Sequence, residues 1–252
     1  MPPDNLISLG VILAAAFLGA FIKGVTTMGL NLIAVPVIAL FLDVQTAVLS
    51  VFLSKFLSDI LMLVQSKKGF TWRSSLRLSS FIISGAIAIP AATYLLANAT
   101  GRWLDLFLGF SILAFVAYQL HPRPLTISRQ HETGWGTAFG IAAGTTQGLS
   151  GVGGPYTAIY LYSLRLTTTE FVFLSSVIYL LFDFSQIGAV LSLKLYDQTR
   201  LFYAVITMIP VMAGTWLGIR LRGRLNPKMF KRSLLVLLVL SAGSLLARGA
   251  GV

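Results

Sequence analysis

The sequence predicts an all-α integral membrane protein made of two inverted repeats, each a broken or re-entrant helical hairpin plus three transmembrane helices. Three observations predict it. Of 252 residues, 56% are hydrophobic and 11% charged, with a mean hydropathy of +0.84, whereas a water-soluble domain carries about a quarter of charged positions. The apolar residues gather into runs at 11–42, 46–64, 76–97, 103–120, 135–164, 169–193, 201–219 and 229–247, most of them near the roughly 20 residues that cross a bilayer as helix. Two glycine-bearing interruptions, Gly24-Val25-Thr26-Thr27-Met28-Gly29 and Gly148-Leu149-Ser150-Gly151-Val152-Gly153, sit 124 positions apart within hydrophobic segments.

The first run, 11–42, is too long for one crossing at about 1.5 Å per residue, and two half-helices folded as a re-entrant hairpin would use its length. Met1-Pro2-Pro3-Asp4 ahead of it carries no Lys or Arg, unlike the basic region of a cleaved signal peptide, so 11–42 is expected in the mature protein. Runs 46–64, 76–97 and 103–120 then read as three spans. A polar, proline-bearing connector, 122–133, follows the first repeat, 1–121. The second repeat, 134–252, restarts the order with its own long run, 135–164, and three further spans. Sliding the chain by 124 positions pairs Gly10 with Gly134, Gly24 with Gly148, Gly29 with Gly153, Ala34 with Ala158, Leu57 with Leu181 and Asp59 with Asp183, the mark of a duplication. Pro90 and Pro210 are expected to kink comparable spans, and Gly85, Gly109, Gly188, Gly214 and Gly218 to serve helix packing. Trp72, Trp103, Trp135 and Tyr196 fall near run ends, where amphipathic rings settle at the interface.

The formal charge is +11, but the basic residues sit in short loops and report topology rather than nucleic-acid binding. If each long run crosses once, the loop Lys and Arg divide 9 against 8. If each enters and leaves by one face, Arg165 and the cluster Arg220, Arg222, Arg224, Lys228, Lys231 and Arg232 join Lys67, Lys68, Arg73, Arg77, Arg123 and Arg129, and the division is 13 against 4. The second topology agrees with the cytoplasmic excess of positive charge, makes the repeats inverted and puts both termini outside the cytoplasm. The cluster from Arg220 to Arg232 reads as a face for anionic lipid heads.

Ridges of small residues at four-residue spacing, Ala16, Ala20, Gly24 and Gly140, Gly144, Gly148, suit close helix packing. Downstream, Thr26, Thr27, Gly29 and Asn31, then Ser150, Gly151, Gly153, Gly154 and Pro155, are too rich in turn formers for uninterrupted helix, and Pro155 suits the first turn of a new one. A half-helix that restarts inside a membrane presents free N–H groups and a positive dipole end, an anion site that needs no cationic side chain. Two such ends meeting at a pseudo-twofold axis would hold one small anion. Charges inside apolar runs are functional candidates by cost alone: Lys23 at the lip of the first break, Lys55 and Asp59 four apart on one helix and able to pair, and Asp59 with Asp183 in matching positions as candidate proton carriers. Gln147, Gln186, Ser54 and Ser58 are candidate polar linings. The candidate substrate-binding set is Lys23, Gly24, Thr26, Thr27, Gly29, Asn31, Lys55, Gln147, Gly148, Ser150, Gly151, Gly153 and Gly154. With no cysteine and two histidines, both in the connector region, no metal or cofactor site and no catalytic residue is expected.

The glycine-rich first hairpin followed by Gly144-x-x-x-Gly148-x-x-Gly151-x-Gly153-Gly154-Pro155 resembles the sulfite exporter TauE/SafE family, also grouped as toluene-sulfonate uptake permeases, over essentially the whole chain. Thr27, Leu30 and Asn31 stand where family members often have further glycines. The resemblance implies a multi-pass protein of the bacterial inner membrane that moves sulfite, sulfonate or sulfoacetate-type sulfur oxyanions, with lipid as its other partner; a homo-oligomer is compatible with the sequence. Two alternatives stay open: a passive anion channel filtering through the same helix ends, and an intramembrane serine protease, since Gly148-Leu149-Ser150-Gly151 spells G-x-S-G.

Overall fold

The computed structural model describes residues 6–66, 78–120, 127–164, 166–222, 224 and 227–251. Lys67, Lys68, Trp72, Arg73, Arg77, His121, Arg123 and Arg165 lie outside them, as do the side chains of Arg129, Lys228, Lys231 and Arg232. The described residues form helices and no strand: α1 Leu6–Thr26, α2 Leu30–Ala39, α3 Val44–Gln65, α4 Ser79–Asn98, α5 Gly101–Leu120, a single 3-10 turn Arg129–His131, α6 Glu132–Ser150, α7 Gly154–Ser163, α8 Thr168–Ser192, α9 Gln198–Ile206, α10 Met208–Leu221 and α11 Pro227–Ala250. Among the described residues six stretches are long and apolar enough to cross a membrane: Leu9–Thr26, α3, α4, α5, α8 and α9 with α10 taken together, Gln198–Leu221. Thr207 divides that last stretch, three residues before Pro210, whose ring excludes the carbonyl of residue 206 from its usual bond.

Helix boundaries recur at the spacing of the sequence repeat. Leu30 and Gly154 open α2 and α7, Ala39 and Ser163 close them, and Val44 and Thr168 open α3 and α8, each pair 124 positions apart. Local capping fixes several of these starts: Asp43 Oδ1 accepts the Thr46 N–H at 2.9 Å, and Thr167 with Glu170 forms a reciprocal capping box at the head of α8.

The chain packs as two compact units, each drawing segments from both sequence halves. The first comprises 1–58, 98–121 and 196–252, the second 59–97 and 122–195. In the first unit α1 lies parallel to α10. Gly24 faces the Thr215 carbonyl and the Gly218 Cα, and Gly214 faces the Phe17 carbonyl, so closely that a Cβ on any of these glycines would collide with backbone. α2 folds back along α1, since Gly19 adjoins Leu30 and Gly29 adjoins Ile22. α5 and α11 run antiparallel, Gly109 against Leu246 and Gly249 against Leu106. Arginines cap helix ends in this unit. Arg102 binds the carbonyls of Gly249 and Ala250, and Arg248 pairs with Asp105 while holding the Ala39 carbonyl at the end of α2, cations placed where carbonyls are orphaned.

The second unit repeats the scheme with different helices. α6 lies parallel to α4: Gly140 adjoins Phe81 and Ser84, Gly144 adjoins Gly85, and Gly148 adjoins Ile89 and Ala92. α7 folds back along α6, with Gly153 beside the Ala143 carbonyl and Tyr160 Oη donating to the Glu132 carbonyl at 3.3 Å. Phe81 stacks between Tyr160 and Phe182, centroids 5.0 and 5.8 Å away.

Both long runs are therefore helix, break and returning helix, but the arms are unequal, 21 and 10 residues in the first and 19 and 10 in the second. The outgoing arm is about a full crossing and the returning one about half, at 1.5 Å per residue, because the turn formers stand late in each run. Gly188 departs from the packing expectation: nothing lies within 4 Å of a Cβ built there. Trp103 and Trp135 are exposed near the starts of α5 and α6, as interfacial rings should be, whereas Tyr196 tethers its loop by donating to the Leu49 carbonyl at 2.9 Å.

Candidate functional site: two helix breaks

The first break spans Thr27 to Gly29. α1 ends when Thr27 turns left-handed, φ +74°, with its N–H donating to the Lys23 carbonyl at 2.7 Å. Thr26 Oγ1 donates to the Ile22 carbonyl at 2.9 Å and also contacts the Met28 carbonyl. Gly29, φ +134°, is the N-cap of α2, a conformation open to glycine alone and one that leaves no capping side chain. Asn31 is buried in the first turn of α2.

Two basic side chains, those of Lys23 and Arg222, stand close to this break. Lys23 is buried, its Nζ donating to the Lys55 carbonyl at 3.3 Å, so it does not reach out to water. Lys55 is buried as well. Arg222, just beyond α10, donates from Nε at 3.1 Å and Nη2 at 2.7 Å to the Gly24 carbonyl. Burial lowers its guanidinium from the ordinary value, though far too little to discharge an arginine. Lys23 and Arg222 stand by the C-terminal end of α1, where positive charge offsets the negative dipole end of the helix.

The second break spans Gly151 to Gly153. Gly151, φ +69°, closes α6 and donates to the Gln147 carbonyl at 2.7 Å. Gly153 caps α7 without a side chain, and Pro155 stands in the first turn, as its missing N–H allows. Gln147 organises the surroundings: Oε1 accepts the Gly153 N–H at 3.2 Å, and Nε2 donates to Gln186 Oε1 at 2.9 Å and to Asp183 Oδ1 at 3.3 Å. Gln186 Nε2 returns a bond to the Gln147 carbonyl at 3.2 Å. Tyr179 Oη lies 3.5 Å from the Gly154 carbonyl and within electrostatic reach of Asp59. Asp59 and Asp183 thus belong to one unit, both buried, around the head of α7.

Several candidates have other work in the fold. Gly24 and Gly148 lie inside α1 and α6, their space taken by α10 and α4. Ser150 Oγ donates back to the Thr146 carbonyl at 2.8 Å. Ser54 and Ser58 bond across helices, to Thr207 Oγ1 at 2.7 Å and Thr215 Oγ1 at 3.1 Å, rather than to their own backbone.

Sequence reasoning missed three residues. Arg222 reads as lipid-facing, and no local signal marks a partner 198 positions away. Tyr179 stands one turn before Asp183, a spacing that could have flagged it. Thr93 is buried with no hydrogen-bond partner for its hydroxyl among the described residues, its backbone nitrogen 3.0 Å from where a Cβ on Gly148 would lie; the four-residue series Gly85, Ile89, Thr93 marks the face.

The family model described as "Sulfite exporter TauE/SafE" matches residues 12–245. No curated protein and no solved structure matches the chain.

Proposed function

The chain belongs to the sulfite exporter TauE/SafE family, and from that membership we propose that it is a secondary transporter moving a small sulfur-containing anion, of sulfite, sulfonate or sulfoacetate type, across the bacterial cytoplasmic membrane by way of its two glycine-rich breaks. It is a multi-pass membrane protein of a transporter family, not an enzyme, which removes the protease alternative. The observation that carries the anion reading is the first break, where buried Lys23 and the Arg222 guanidinium on the Gly24 carbonyl close α1 a few residues before a helix whose N-cap has no side chain. Backbone amides, a positive dipole end and two cations are the elements of an oxyanion site.

The second break suits protons better than anions. Asp59 and Asp183 are both buried, and Asp183 accepts from Gln147, whose Oε1 takes the Gly153 N–H; an intramembrane carboxylate is costly when charged and is a default candidate for proton relay. Protonation of one of them in step with anion movement would couple flux to the proton gradient. The matching helix boundaries support two repeats, 1–121 and 134–252, and the 13 against 4 division of loop Lys and Arg supports inverted repeats with both termini outside the cytoplasm.

Purified protein in liposomes tests this reading. Saturable sulfite accumulation driven by a pH gradient is expected, with the coupling lost in Asp183→Asn. Undiminished coupling would remove Asp183 from the mechanism, and ohmic currents of single-channel size would favour a pore. In a thermal-shift panel of sulfite, sulfoacetate, taurine, thiosulfate and acetate, stabilisation by acetate alone would overturn the sulfur assignment.

A further inference from the structure

We propose that the Thr27 hydroxyl is a specificity-determining donor to an oxygen of the transported anion, a role that rests on the proposed function of the first break. The two breaks end their outgoing helices with the same backbone. Thr27 and Gly151, 124 positions apart, have φ of +74° and +69°, and each N–H donates at 2.7 Å to the carbonyl four residues earlier, that of Lys23 or Gln147. This left-handed helix-terminating geometry asks for glycine, which bears it without strain. The second break has glycine there. The first has a β-branched residue, for which a positive φ is a genuine outlier.

The side chain brings a second penalty. Thr27 is 3% exposed, and its Oγ1 has no hydrogen-bond partner among the described residues. Helix termination explains neither feature, since Gly151 makes the same turn without them. Both are accounted for by a ligand whose oxygen accepts a hydrogen bond from the hydroxyl. The neighbouring groups set the ligand's chemistry: the hydroxyl stands two residues ahead of the Gly29 N-cap and four after Lys23, with Arg222 on the Gly24 carbonyl. A donor among cations and helix-end amides selects an anion whose oxygens accept directed hydrogen bonds.

Sodium sulfite binding to the purified full-length protein, followed by melting midpoint against sulfite concentration, tests the assignment in three variants. Thr27→Gly installs the residue of the other break, Thr27→Val keeps the shape and removes the hydroxyl, and Thr27→Ser keeps the hydroxyl. The dissociation constant is expected to rise about 10- to 100-fold in Thr27→Gly and Thr27→Val, the worth of one hydrogen bond to a charged acceptor, and to stay within about threefold in Thr27→Ser. The ligand-free midpoint of Thr27→Gly is expected at or above that of the unmodified protein. Thr27→Val reads the hydroxyl by itself should the glycine variant not fold. Unchanged affinity in Thr27→Gly or Thr27→Val, or loss in Thr27→Ser, overturns the assignment while leaving the transporter reading intact. Unmodified protein that binds no sulfur anion of the panel overturns both.

Discussion

Replacing Gln147 with leucine keeps most of the side-chain volume and removes three bonds in the second unit, those to Gln186 at 2.9 Å, Asp183 at 3.3 Å and the Gly153 N–H at 3.2 Å. Gln147 is 1% exposed, so water does not replace what is lost. A buried group deprived of its partner costs about 1–3 kcal/mol. The 2.9 Å bond counts in full and the two longer ones for less, giving roughly 4 kcal/mol, against which the added apolar surface of leucine returns about 1 kcal/mol. The net loss of about 3 kcal/mol corresponds to a fall of roughly 6–12 °C in melting midpoint for a chain of this size. Thermal unfolding of Gln147→Leu and unmodified protein, in one detergent at one concentration, measures it. A double-mutant cycle with Gln186→Leu adds a second reading, because the two residues share bonds and their effects should fall short of additivity by about 1 kcal/mol or more. A midpoint shift under about 2 °C, or strict additivity, would refute Gln147 as the organiser of the second break.

Further outcomes follow from single contacts. Arg222→Ala strips both donors from the Gly24 carbonyl and should lower the midpoint by the equivalent of about 2 kcal/mol, with Arg222→Lys recovering part as a point charge; an unchanged midpoint in Arg222→Ala would show that the cap is dispensable. Thr93→Val deletes a buried hydroxyl that has no partner among the described residues and should raise the midpoint by the equivalent of about 1 kcal/mol; a fall would mean the hydroxyl is bonded in the membrane. Gly218→Leu drives a side chain into the Phe21 carbonyl and the Gly24 Cα and should cost about 3 kcal/mol or more, whereas Gly188→Leu, facing open space, should leave folded yield and midpoint unchanged. Equal effects at the two glycines would contradict the packing of α1 on α10.

The breaks were legible because their cause is local. Thr26 to Gly29 and Ser150 to Pro155 combine residues that helix interiors reject, and the structure interrupts the chain at 27–29 and 151–153. The small-residue ridges were equally legible as packing faces, down to the four-residue step that matches Gly140, Gly144 and Gly148 to successive turns of α4. The partners of those faces were not. Nothing near Gly24 names Gly218, and nothing near Gly148 names Ala92. The intramembrane charges were visible as costly residues, but the partners they find, such as the Lys55 carbonyl for Lys23 and Gln147 for Asp183, depend on which helices share a unit. Arg222 shows the limit most plainly. A loop arginine beside other basic residues looks solvated, and only a carbonyl 198 positions away gives it a different job.

By itself the sequence determined a helical membrane protein with two interrupted runs in one register, because hydropathy, glycine and proline act on the backbone within a turn or two. The tertiary structure decided that α1 pairs with α10 and α6 with α4, so that each compact unit borrows helices from both halves. Those outcomes arise from close approach and hydrogen bonds between residues remote in the chain, where no short-range rule reaches.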